Sequence, residues 1–318
     1  ELFIWSGDLS PAPLSATYSI TKENLEASTG TDKVDIARLI NDYFELNPID
    51  ISNTSLNDGN CALWVKHQVK YTVGANITNE LEVTDFALQG YGYGNEGENY
   101  QTTKKILTDS LEVDAYSDDV VYIPIIQDQI ANVTVTAQPS GSLINTFTIT
   151  DTTTSESKIS ILAIDLMDAS GDNFVTVALG TETYSIFLND ECKYTPQKIQ
   201  FINRYGASQT VTFLKERTDT MSAEGSEYES GYAQPNIGAH QFRKFNVNGR
   251  SEFKLNSGYI DEAQNNIFKE LLLSEYVWQD GLPVNCDLGS VEHQTQTNNK
   301  VVNYTFDFSY SYNEINTI

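Results

Sequence analysis

Short runs in which apolar and polar residues alternate recur along the whole chain, separated by Gly, Pro, Asn, Asp and Ser. Successive side chains of a strand point to opposite faces, so such runs predict half-buried β-strands, and the punctuation between them predicts turns. Thr17–Thr21, Trp64–Val73, Asn132–Thr136 and Thr146–Thr150 carry the pattern, and so do Lys158–Leu166, Phe174–Leu179, Tyr184–Leu188, Lys198–Ile202, Thr210–Leu214 and Val301–Tyr312. Eighteen Tyr and 14 Phe, with many Thr and Val, suit pleated surfaces. The expectation is a mainly β chain of two or three sandwich-like or barrel-like modules.

Two segments follow helical spacing instead. From Asp32, the apolar positions Ile36, Leu39, Ile40, Tyr43 and Phe44 share one face, with Asp32 placed to cap the start and Pro48 to stop continuation. From about Asp261 to Leu273, Ile260, Ile267, Phe268, Leu271 and Leu272 share a face, and Asp261 and Glu262 sit at the positive end of the helix dipole. Each helix is expected to plug the open end of a β-domain or to form a subunit contact, which makes Ile267 and Leu271 candidate interaction residues. The stretch from Glu216 to Gly238, rich in Glu, Ser, Gly and Thr, reads as a long acidic loop, with Tyr228 and Tyr232 as its candidate contact residues. Boundaries near Gln127 and Tyr194 divide the chain into 1–127, with one helix; 128–195, an inserted small β-sandwich; and 196–318, with the second helix and the acidic loop.

The 318 residues carry 19 Lys and Arg against 44 Asp and Glu, a formal charge of −25. Such a surface repels nucleic-acid phosphates and anionic lipid, which disfavours gripping DNA. It is compatible with a conduit that DNA passes without sticking. The longest apolar runs, such as Val120–Ile126, are too short to span a bilayer. Glu1–Trp5 does not read as a signal peptide.

Catalytic motifs are missing. Cys61, Cys192 and Cys286 form neither a disulfide framework nor a CxxC pair, and His67, His240 and His293 stand at no metal-binding spacing. No GxSxG elbow, P-loop or GxGxxG occurs. Paired carboxylates of a glycosidase carry no short motif, so Asp114, Asp118 and Asp119, and Asp165, Asp168 and Asp172, are weighed and read as turn acids. Asp165, Asp168, Asp172 and Asn173, or Asn95, Glu96, Glu98 and Asn99, could offer oxygen ligands to calcium, but neither set matches an EF-hand loop. Tyr91 and Tyr93, within Gly90–Gly94, could present a sugar-stacking platform, but a tight loop with packed tyrosines is the preferred reading. The sequons at Asn53, Asn76, Asn132 and Asn303 are expected by chance in an Asn- and Thr-rich chain. The expectation is a protein without enzyme activity and without cofactors.

Several segments together carry a resemblance. Phe3–Asp8, Ile36–Tyr43 and Leu88–Tyr93, then Glu191–Pro196 running into Phe201–Ala207, and Ser257–Ile260 with Leu273–Trp278, resemble uncharacterised virion proteins of tailed phages, particularly those infecting Bacteroidetes. The resemblance touches most of the chain outside the middle part. It implies a virion location and a structural role in the tail, neck or baseplate, with copies of itself and other virion proteins as partners, passive contact with DNA in a channel, and no membrane. A capsid jelly roll or decoration protein is the alternative within the virion. A secreted or surface carbohydrate-binding β-sandwich protein is the alternative outside it.

Overall fold

A computed structural model describes residues 1–6, 10–21, 34–44, 46, 48, 57–58, 62–73, 76–91, 106–126, 131–149, 159–169, 171–190, 193–230, 240–287 and 301–315. The first strands in chain order are β1 (Leu2–Trp5), β2 (Asn57–Asp58), β3 (Ala62–Val73), β4 (Asn76–Leu88), β5 (Glu112–Tyr116) and β6 (Val120–Ile126). The middle of the chain gives β7 (Ala131–Gln138), β8 (Leu143–Ile149), β9 (Ile159–Asp165), β10 (Phe174–Leu179) and β11 (Glu182–Asn189). There follow β12 (Gln197–Ile202), β13 (Ser208–Phe213), β14 (Arg217–Glu229) and β15 (Phe242–Asp261). The last are β16 (Val277–Gln279), β17 (Leu282–Cys286), β18 (Val301–Tyr310) and β19 (Glu314–Ile315). Among the described residues, two α-helices, α1 (Ala37–Asn41) and α2 (Asn265–Leu273), complete the regular structure with single 3₁₀ turns at Met167–Ala169 and Glu262–Gln264.

The described strands form four sheets, ordered β1-β3-β4, β5-β11-β10-β7-β8, β2-β9-β6 and β13-β12-β16-β17-β18-β15-β14, with β19 beside β15. The chain is therefore mainly β, as its periodicity predicts. Sheets cross the position expected for a boundary at residue 127: β9 pairs with β6, and β11 pairs in parallel with β5. Val133, Val135, Val175 and Ile186 from the five-stranded sheet share one apolar cluster with Ile123, Ile125 and Leu162 from β6 and β9. The same cluster continues into the largest sheet through Ile199, Phe213, Leu255 and Phe308. Each such side chain, taken fully from water, contributes about 1.5–3 kcal/mol before entropy is counted.

Helix α2 closes that core from the chain's C-terminal third. Asp261 accepts a hydrogen bond from the Ala263 amide at 2.9 Å, which starts the 3₁₀ turn that leads into the helix. Phe268 then lies nearly parallel to Phe306, centroids 5.6 Å apart, and meets Phe213 edge-on at 5.8 Å. Ile267 is 1% and Leu271 0% exposed. The helix is thus an internal plug, and the expectation that Ile267 and Leu271 form an intermolecular contact is corrected, because their apolar face is spent on the chain's own sheet.

Helix α1 is a single turn, shorter than the periodicity predicts. Asp35, in place of Asp32, accepts the Ala37 amide at 3.0 Å, and Asp32 lies outside the described residues. Its apolar positions Ile36, Leu39, Ile40 and Phe44 do converge, on Leu2, Ile4, Leu63 and Val65 of the N-terminal sheet. The strand expected at Thr17–Thr21 is reduced to one bridge, between Tyr18 and Leu2.

The stretch expected as an acidic loop is the main departure. Residues Arg217–Glu229 are a 13-residue strand paired antiparallel with β15. Residues 231–239 lie outside the described residues. Polar residues on both faces hide a strand from any hydrophobic pattern, because the ladder to β15, and not burial, holds this one in place.

Candidate interaction surface

Strand β15 begins in solvent and ends in the core. Its first five residues are exposed, whereas Phe253 and Leu255 are 2% and 0% exposed. Strand β18 pairs with β15 only from Glu252 onward, and β19 reaches Asn248 and Gly249. Beyond these, Ser226–Glu229 and Phe242–Phe245 have no described strand but each other. At about 3.3 Å per residue, β14 is roughly 40 Å long, and its last four residues with Phe242–Phe245 make a two-stranded tip of roughly 13 Å at the end of this arm.

The root of the arm is fixed by Arg217. Its guanidinium lies 4.5 Å from the centroid of the Phe253 ring and donates to Asp219 Oδ1 at 2.7 Å, Gln197 Oε1 at 2.9 Å and the Tyr310 hydroxyl at 3.4 Å. Midway, the register shifts at Gly225, where two residues of β15, Asn246 and Val247, stand against one of β14. Asn246 takes a φ of 50°, and a Cβ on Gly225 would come within 2.9 Å of a Val247 methyl. The bulge kinks the ladder there and separates root from tip. An open polar groove of about 610 Å³ lies along this kink, with Ser222, Glu224, Asn246, Arg250 and Glu252 in its walls.

The tip carries apolar rings in the open. Tyr228 is 46%, Phe242 56% and Phe245 50% exposed, and Met221 nearer the root is 58% exposed. One pair of opposite charges crosses the strands at the tip, Glu227 facing Lys244, while Arg243 stands opposite Tyr228. Of the expected contact residues, Tyr228 is therefore on the surface, while Tyr232 lies outside the described residues. Phe242 and Phe245 escape a reading based on alternation; their signal is the run Phe242-Arg243-Lys244-Phe245, two rings around two cations in an acidic chain.

The other candidates fall elsewhere. Tyr91 is half-buried; its amide donates to the Arg204 carbonyl at 2.9 Å and its hydroxyl to the Glu270 carbonyl at 3.4 Å. It ties the N-terminal segment to α2, and Tyr93 lies outside the described residues. The neighbouring turn Asn203–Ala207 is a staple. Asn203 donates to the Leu107 carbonyl at 2.7 Å and accepts from the Tyr205 and Ala207 amides at 3.1 Å, while the Tyr205 hydroxyl and Arg204 both reach Asp109.

Three of the carboxylates weighed for chemistry, Asp119, Asp165 and Asp172, serve turns and an ion pair. Asp119 pairs with Lys198 and accepts from Thr212 Oγ1 at 3.1 Å. Asp172 accepts from the Ser140 amide and hydroxyl, both at 2.8 Å, and Asp165 accepts from the Met167 amide at 3.0 Å. Burial pushes the Asp114 carboxyl above its usual range, and the neighbouring charges of Asp261 and Glu112 push the same way. Among the described residues no three His, Cys, Asp or Glu are grouped to hold a metal ion. Asn95, Glu96, Glu98 and Asn99 lie outside the described residues.

Of the thiols, Cys286 is half-buried, and burial together with Asp287 and Asp307 pushes it up to about 12, which keeps it protonated and unreactive. Cys61 and Cys192 lie outside the described residues, as does His293. His67 sits half-buried in β3, and His240 is exposed at the foot of β15. No described helix is long and apolar enough to cross a membrane. The chain matches no protein-family model, no curated protein and no solved structure.

Proposed function

We propose that this chain is a structural component of a tailed-phage virion, in the tail, neck or baseplate, where it assembles with copies of itself and with adjoining virion proteins. The observation that carries the reading is the arm formed by β14 and β15. Ordering the backbone costs on the order of 1–2 kcal/mol per residue, and a two-stranded ribbon with no buried face recovers little of that from its own chain. A neighbouring molecule laid against it supplies the missing burial, as the exposed Tyr228, Phe242 and Phe245 would require.

Charge and chemistry agree with this reading. A formal charge of −25 suits a wall that DNA passes without adhering, through passive contact only. Asp119, Asp165 and Asp172 are engaged in turns and an ion pair, which supports reading the chain as a non-enzyme. The resemblance noted in the sequence points to the same class, and a virion location follows from it. A capsid shell or decoration role is the second form of the proposal, since sandwich-like sheets serve there too.

Quantitative mass spectrometry of purified particles of the encoding phage tests the proposal. The chain is expected in the particle at a fixed copy number far below that of the major shell protein. Parity with the shell protein would move it to the capsid, and absence from particles would overturn the proposal.

A further inference from the structure

The open edges of the sheets differ in charge. Strand β14 carries Asp219, Glu224, Glu227 and Glu229 against Arg217 alone; β4 carries Glu82 and Asp85; β5 carries Glu112 and Asp114. Strand β8, the outermost of the five-stranded sheet, reads Leu-Ile-Asn-Thr-Phe-Thr-Ile and carries no charge. The two strands next inward, β7 and β10, carry none either. Edge strands of proteins that stay single are commonly blunted by charge or proline, and β8 has neither. Its one irregularity is a bulge at its start, where the register with β7 shifts between Val135 and Thr136.

Among the described residues no strand pairs with the outer side of β8. Leu143 is 62% exposed, and Asn145, Thr146 and Thr148 are exposed as well. The Thr146 amide donates to its neighbour Asn145 Oδ1 at 2.7 Å, so it points away from β7. The pleat turns the backbone groups of Thr148 the same way. Thr146 lies opposite Thr134 and Thr148 opposite Asn132, so their side chains continue a hydroxyl-rich outer face on which Thr136 and Thr176 are bonded at 2.7 Å.

We propose that β8 pairs antiparallel with β8 of a second copy, about a two-fold axis near Phe147, joining two five-stranded sheets into one. This rests on the reading of the chain as a self-assembling protein. Exposure and charge together select the edge, since the uncharged edge strands β1, β6 and β13 are buried, and the absence of charge on β8 permits a second copy as partner. Two copies of a chain at −25 repel, and an edge bearing four carboxylates adds to that cost, whereas β8 places nothing charged opposite itself. With the axis at Phe147, Thr146 of one copy faces Thr148 of the other, and the outward backbone groups exchange about four hydrogen bonds. The Asn145 carboxamide gives up the Thr146 amide to the incoming carbonyl. A two-fold contact of this kind uses the same patch twice and closes on itself.

Sedimentation velocity of the full chain over a concentration series tests the pairing, with the double variants Thr146→Lys/Thr148→Lys and Thr146→Glu/Thr148→Glu. Each variant sets like charges against each other, so the dimerisation constant is expected to weaken at least tenfold. An equimolar mixture is expected to recover it, because opposite charges then meet. Hydrogen exchange of the wild-type protein gives a readout independent of the variants: the Thr146 and Thr148 amides are expected to become protected as concentration rises. Rapid exchange of both amides at every concentration, or association unchanged in both variants, overturns the pairing while leaving self-assembly intact. A wild-type chain that stays monomeric throughout overturns both.

Discussion

The ring of Tyr228 meets that of Phe245 at 66°, centroids 5.7 Å apart, on the part of the arm where no other described strand pairs with either. The two residues are diagonal neighbours, since Tyr228 stands opposite Arg243 and Phe245 opposite Ser226. Such pairs hold a ribbon together. Here they also leave about half of each residue to solvent, where they can serve as the anchors proposed for a neighbouring molecule.

The anchors should therefore matter for assembly and hardly at all for folding. Tyr228→Ala and Phe245→Ala are each expected to change unfolding free energy by no more than about 0.5 kcal/mol in urea titrations. Light scattering behind a sizing column should show association weakened in both. A loss of stability of the size seen for core truncations would place the rings in the chain's own core.

Phe268 is the opposite case. It is 1% exposed and touches Phe213, Tyr304 and Phe306. Phe268→Ala is expected to cost about 3–5 kcal/mol through lost burial and the cavity left behind. Chemical denaturation reads this directly, and a cost below about 1 kcal/mol would mean that α2 is not the plug of the core.

Gly206 is held by two constraints at once. Its φ is 76°, and a Cβ there would lie 2.6 Å from the Gln89 amide nitrogen. Gly206→Ala must therefore strain the turn and push Gln89 away from the C-terminal sheet. We expect a cost above about 1 kcal/mol, with faster hydrogen exchange at the Tyr91 amide, whose acceptor is the Arg204 carbonyl.

Asp114 gives a dependence on pH. Burial, joined by the charges of Asp261 and Glu112, raises its affinity for a proton in the folded state. A raised folded value favours folding below the ordinary carboxylate range, and this contribution is lost as pH rises through the folded value. Asp114→Asn removes the buried charge, so its thermal midpoint at pH 7 should rise on the order of 1–2 °C. At about pH 3, where the carboxyl is protonated in both states, the difference should vanish. A variant less stable than wild type at pH 7 would show that the charge is compensated.

Strands that bury one face were legible from alternation alone. Phe174–Leu179 coincides with β10, and Lys198–Ile202 lies within β12, because Val175, Val177, Ile199 and Phe201 point inward. Strand β14 was not legible, since a ladder made entirely by backbone groups leaves no trace in hydropathy. Helical spacing located α2 correctly, yet it could not tell what its apolar face would meet: Ile267 and Leu271 cover the chain's own sheet. The surface anchors split the same way. Tyr228 was singled out as one aromatic of an acidic stretch, while Phe242 and Phe245 were hidden by lying beyond the end of that stretch.

The central claim is that the chain works by assembling with its own copies. Negative-stain microscopy and mass photometry of the purified full chain test it most directly. The account predicts discrete particles of one symmetric order, reduced to smaller species when Tyr228 and Phe245 are both replaced by Glu. A single monomeric mass at every concentration, with no ordered particles on the grid, would contradict it.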